Sequence, residues 1–146
     1  MRLTRKQNKE LCEKYPFLVP HNVFTGEVIH DYDYEYTELD NMPDGWRIAF
    51  GKQLCEELRK ELIEHNYLDK YRILDIKEKY GGLRWYDNGS TQGIHDIIHK
   101  YEDMSYRTCI VCGNPATKIT TCWISPYCDK CLPNNEQSVN IDEYYK

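Results

Sequence analysis

Apolar residues recur at every fourth position in the middle of the chain, at Trp46, Phe50, Leu54, Leu58 and Leu62, with Ala49 and Ile63 beside them. That spacing predicts an amphipathic helix over Trp46 to Asn66, capped by Asp44. Its other face carries Lys52, Glu56, Glu57, Arg59, Lys60 and Glu64, an ordinary solvated surface. A shorter pattern from Thr4 to Tyr15 predicts a second helix, with Thr4 as cap and Pro16 as stop. A third is expected from Ile94, Ile97, Ile98, Tyr101 and Met104, capped by Ser90 or Thr91. Between the last two, "YRILDIK" and "LRWYD" flank a turn around Gly81 and Gly82 and read as a β-hairpin. In "YDYEYTELD" the tyrosines alternate with polar residues, a period of two that suits a half-buried strand with tyrosines inward and acids outward.

Together these elements predict an α+β fold: helices on a small antiparallel sheet over residues 1–106. A short ribbon over 107–132 and a flexible tail over 133–146 complete the expected organisation. With 146 residues the chain is long enough for a modest domain plus a small satellite. Met1 to Glu10 is polar and charged, no apolar segment of a secretory signal follows it, and no apolar run reaches membrane-spanning length. The expectation is a soluble, cytoplasmic protein without a membrane partner.

In a reducing compartment, closely spaced cysteines point to metal or redox chemistry before structural disulfides. Five of the seven cysteines lie between Cys109 and Cys131. Cys109 and Cys112 form one C-x-x-C pair and Cys128 and Cys131 another, with fifteen residues between them. A two-residue gap lets both sulfurs of a pair face one ion, and Gly113 can take the positive φ of a tight knuckle. Two pairs make a closed tetrahedral site for one structural Zn2+, with no open position for substrate. Two redox dithiols are the rival, but neither pair lies at a strand-to-helix junction. Cys122 is surplus to a four-ligand site and, like Cys12 and Cys55 in the helical patterns, reads as a free thiol.

Charge separates the chain. Glu27 to Asp44 holds seven acids and no Lys or Arg, so the window carries −7 while the rest carries +2, since 19 bases face 24 − 7 = 17 acids. Four coordinated thiolates plus Zn2+ would move the whole-chain charge from −5 to −7. Apart from "RLTRKQNK" the bases do not cluster along the sequence, so strong direct nucleic-acid binding is not favoured. The window instead suggests a protein-binding surface built from Tyr32, Asp33, Tyr34, Glu35 and Glu38, because aromatics anchor interfaces and carboxylates suit a basic groove. Two other sets have chemical potential. His95 and His99 stand at i and i+4 without the Glu of H-E-x-x-H or an obvious third ligand. Asp75, Glu78 and Asp87 could pair as carboxylates beside Gly81 and Gly82, against the plainer reading of a charged hairpin exterior.

The pieces "YPFLVP", "FTGEV", "YDYEYTELDNMPDGWRIAFG", "IKEKYGGLRWYDNG" and "SYRTCIVCGNPATKI…WISPYCDKC" resemble a family of small phage and prophage proteins. The likeness runs from Lys14 to Cys131 and is most specific in "KEKYGGLRWY" and the ribbon. Relatives often end the second pair as C-x-x-H and often have Gly before the ribbon tryptophan, where this chain has Cys131 and Cys122. The resemblance implies mobile-element origin rather than a reaction. Three functions remain open on the sequence: a non-enzymatic accessory protein that inhibits or modulates a host macromolecule, foremost a protein; a nucleic-acid-associated zinc ribbon; and a small hydrolase using carboxylates of the 75–87 hairpin.

Overall fold

The structure is a computed structural model that describes residues 2–89 and 91–146. Its fold is α+β, with a two-stranded and a three-stranded antiparallel sheet. Helix α1 spans Arg5–Lys14, where Thr4 and Gln7 form a reciprocal capping box. A 3₁₀ turn over Pro16–Leu18 follows, as the proline requires.

The central helix has three parts: α2 (Asp44–Trp46), a π-helical turn (Arg47–Gly51) and α3 (Lys52–Glu64). Asp44 is its first helical residue and bonds Arg47, so it is not the expected cap; Pro43 holds the N-cap position without a side-chain capping bond. The wide turn explains the spacing of four. In a regular α-helix each such step drifts by about 40°, so the path from Trp46 to Leu62 would rotate by about 160°, too far for one face. One extra residue in the π-helical turn takes back about 100° and returns all five side chains to the core. Each is 2% exposed or less. A left-handed Asn66 ends the helix, with Tyr67 N–H donating to Leu62 O and Asn66 N–H to Ile63 O, a Schellman arrangement.

Strands β1 (Ile73–Lys79) and β2 (Gly82–Asp87) form the expected hairpin. Its two-residue loop is Tyr80 and Gly81, both at positive φ, as a type I′ turn demands. Gly82 lies in β2, where a Cβ would come within 2.3 Å of the Tyr106 ring. Helix α4 (Gln92–Ser105) packs along β2, capped by Thr91; Ser90, the other candidate cap, lies outside the described residues. Ser105 Oγ accepts from Leu83 N–H at 2.7 Å and Glu102 from Trp85 N–H at 3.1 Å, so side chains of α4 close the free edge of β2.

The hairpin is tied to the core through Tyr71. Its hydroxyl accepts from Trp85 Nε1 at 2.9 Å and donates to Asp87 at 2.7 Å, and burial followed by that carboxylate raises its pKa. A Tyr71→Phe substitution removes both bonds and strands a buried indole N–H, so thermal or denaturant unfolding should show a loss of about 1–3 kcal/mol. An unchanged midpoint would contradict this role.

Two expectations are corrected here. The Tyr32 to Glu38 stretch is not a strand: left-handed Asp31 and Tyr34 break the extended backbone, and among the described residues no strand pairs with it. Instead Asn8 Nδ2 donates to the carbonyls of Tyr34 and Glu35, and Thr37 caps a 3₁₀ turn at Glu38–Asn41. Residues 133–146 are not a loose tail either. Strand β3 (Lys118–Thr120) pairs on one side with the two-residue β4 (Pro126–Tyr127) and on the other with β5 (Ser138–Asn140). The following helix α5 (Ile141–Tyr144) buries Ile141, and Arg107 pairs with Asp142 at 2.6 Å.

Candidate metal centre

Cys109 and Cys112 lie in the turn that follows α4, closed by Cys109 N–H to Asn114 O at 2.7 Å and Gly113 N–H to Cys109 O at 3.1 Å. Gly113 has the left-handed φ, 85°, expected of the knuckle. The second pair sits just past β4, where Cys128 O accepts from the N–H groups of Cys131 and Leu132. Ile110 N–H donates to Pro126 O at 3.0 Å and joins the two turns.

This folding brings the four sulfurs within 4.8 Å of one another, with Cys112 and Cys128 at 3.6 Å. All four cysteines are free, at separations well beyond a disulfide bond of about 2 Å. Tetrahedral metal–sulfur bonds of about 2.3 Å place the sulfurs about 3.8 Å apart, so the group fits one thiophilic ion. Cys109 is fully buried and Cys128 nearly so. Desolvation works against the Cys128 thiolate, but hydrogen bonds from the Cys131 N–H and from the other thiols outweigh it and lower the pKa to about 7. The same contacts push Cys131 up to about 12, chiefly through its bond to Cys128, and raise Cys112, so the group by itself favours one thiolate and a metal ion would displace the remaining protons. Among the described residues this is the only group of three or more candidate ligands close enough to hold a metal.

The centre is not an appendage. Gly45 N–H donates to Ile110 O at 2.9 Å and Trp46 Nε1 to Thr108 O at 3.0 Å. At Gly45 an added Cβ would lie 2.0 Å from Cys109 O, and at Gly113 it would lie 2.6 Å from Gly45 O. The first knuckle and the start of the central helix meet backbone to backbone. Sequence patterns left this contact unseen, although the two glycines that permit it are plain in "PDGW" and "CGNP".

The other candidate sets are not assembled into sites. His95 and His99 stack with ring centroids 4.2 Å apart on an exposed stretch of α4. Asp75 pairs with Lys77, Glu78 accepts from Gly81 N–H, and Asp87 holds Tyr71. Each carboxylate therefore serves the hairpin. Tyr32 and Tyr34 are half-buried and stack on each other at 4.8 Å, while Asp33 and Glu35 face water near Arg5. Glu38 is half-buried, and burial raises its pKa, with Asp75 adding to the shift. Cys12 and Cys55 are core residues. Cys122 is exposed and, with Trp123, forms the turn between β3 and β4.

Fold and site define an α+β protein with a four-cysteine centre that could hold a metal ion. No family model matches the sequence, and no curated protein or solved structure matches the chain. No helix among the described residues is long and apolar enough to cross a membrane.

Proposed function

We propose that the protein is a zinc-stabilised, non-enzymatic accessory protein of phage or prophage type, acting in the host cytoplasm by binding and restraining a host protein. The closed sulfur-only donor set supports zinc in a structural role, since all four tetrahedral positions are taken by the chain. The plain structural use of Asp75, Glu78 and Asp87 weighs against the hydrolase.

The observation that carries the reading is the segregation of charge. Seven acids and no Lys or Arg lie between Glu27 and Asp44, and Asp31, Asp33 and Glu35 are exposed on a segment held down by Asn8. A fixed acidic edge of this kind suits a partner with a basic groove, including one evolved for nucleic acid. The half-buried tyrosines hold the segment in shape and the acids carry recognition.

Affinity capture from host lysate tests this with the native chain beside an Asp31→Lys, Asp33→Lys, Glu35→Lys variant. The expected result is a discrete host protein retained by the native chain, released at high salt and lost at least tenfold in the variant. Equal capture by both chains would refute the acidic edge as the binding surface.

A further inference from the structure

The hairpin register gathers bases that are scattered in the sequence. Asp75 faces Tyr86, Lys77 faces Arg84 and Lys79 faces Gly82, while the alternate residues Ile76, Leu83 and Trp85 point into the core. Lys77 and Arg84 are thus directly opposed like charges, an arrangement that disfavours the sheet unless something anionic lies over it. Asp75 answers Lys77 at 3.3 Å, and Glu78 is occupied by the Gly81 N–H. Aromatic rings are interleaved with the cations. Lys77 lies 5.5 Å from the Tyr86 centroid, Lys79 lies 6.0 Å from Tyr80, and Arg84 lies 5.8 Å from Tyr106. At the loop end, Glu78, Lys79 and Tyr80 meet Cys122, Trp123 and Ile124 of the ribbon turn around a cleft of about 430 Å3. Trp123 is 74% exposed and Tyr80 69%. Among the exposed aromatics only Phe24, at 94%, is barer than these two rings.

We propose that this face, from Tyr86 across Lys77 and Arg84 to Tyr80 and Trp123, binds single-stranded nucleic acid. Two complementary features favour that ligand. Lys77, Lys79 and Arg84 are placed to meet backbone phosphates, and the open faces of Tyr80 and Trp123 are placed to stack unpaired bases, which duplexes do not offer. An acidic protein would answer the cations and could pack on the rings, but flat stacking on open ring faces beside spaced cations is what unpaired bases on a phosphate backbone supply. The site is independent of the acidic window and stands whether or not that window takes a host protein.

The test is fluorescence anisotropy with labelled single-stranded DNA and RNA homopolymers of about 20 nucleotides. Binding at low salt is expected, and three phosphate contacts predict about a twentyfold weakening between about 50 and about 200 mM salt. The double variant Lys77→Glu, Arg84→Glu should lose at least tenfold. Trp123→Leu should weaken binding by roughly five- to a hundredfold. It should also abolish the quenching of tryptophan emission that oligonucleotide causes in the native chain, because Trp46 and Trp85 are buried. Retained metal and an unchanged melting temperature establish that both variants fold. No binding by the native chain at low salt, or full binding by the folded variants, would overturn the site. Equal competition by polyglutamate would overturn it in favour of an acidic protein partner.

Discussion

Replacement of Cys109 or Cys128 by Ser is expected to abolish metal binding and melt the ribbon. The sheet there consists of strands two and three residues long, with Ile119 and Ile141 as its buried aliphatics, too little apolar surface for independent stability. On the proposed reading a bound ion supplies the difference, on the order of 10 kcal/mol or more for a structural zinc site near neutral pH. Removing one of four thiolates forfeits much of that energy, and at Cys109 it also disturbs a fully buried position. The amides of Thr117, Thr120 and Ile141, bonded to Tyr127, Ser125 and Thr117 across the ribbon, should then exchange rapidly with solvent. Chelation of the native protein should do the same. The expected readout is one metal per chain by elemental mass spectrometry, absent from both variants, with ribbon protection lost. Cys122→Ser is the control: the residue is exposed and outside the four-sulfur group, so metal and protection should be unchanged. Metal retained by the Cys109 and Cys128 variants would refute the assignment.

Gly45→Ala is expected to destabilise the whole protein by about 3 kcal/mol, lowering the melting temperature by about 10 °C. Local propensity alone predicts the opposite, since alanine is favoured over glycine in a helix by about 1 kcal/mol. The added methyl would, however, stand 2.0 Å from the Cys109 carbonyl oxygen, and this obstacle is backbone rather than a side chain that can swing aside. Relief requires the helix start and the knuckle to separate. Separation in turn breaks the Gly45 to Ile110 and Trp46 to Thr108 bonds. Calorimetry of the metal-loaded variant measures the loss, and a melting temperature at or above that of the native chain would show that the contact is soft.

The helices and the hairpin were legible because each buries a whole face, so its period is written in the sequence. The four-cysteine cluster was legible for a different reason: sulfur chemistry fixes its spacing whatever surrounds it. What escaped were features decided between distant segments. The tyrosine stretch has the period of a strand but no neighbour to pair with, and Asn8, far upstream, settles its path. Strand β5 is too short to announce itself and exists because β3 has a second edge to fill. The cation cluster on the hairpin depends on which residue faces which across the turn, so counting bases along the chain concealed it.

The side chains of Ser105 and Glu102 that accept from Leu83 and Trp85 have one more consequence. An open strand edge invites another chain to add a strand, the usual route to β-mediated association and fibrils. Here two of the N–H groups that such an intruder would need are occupied from α4. Strand addition along β2 would first have to displace the last turn of that helix, the same turn that leads into the metal centre. The hairpin is therefore barred from growing along its β2 edge, and a partner on that side must be met through outward side chains.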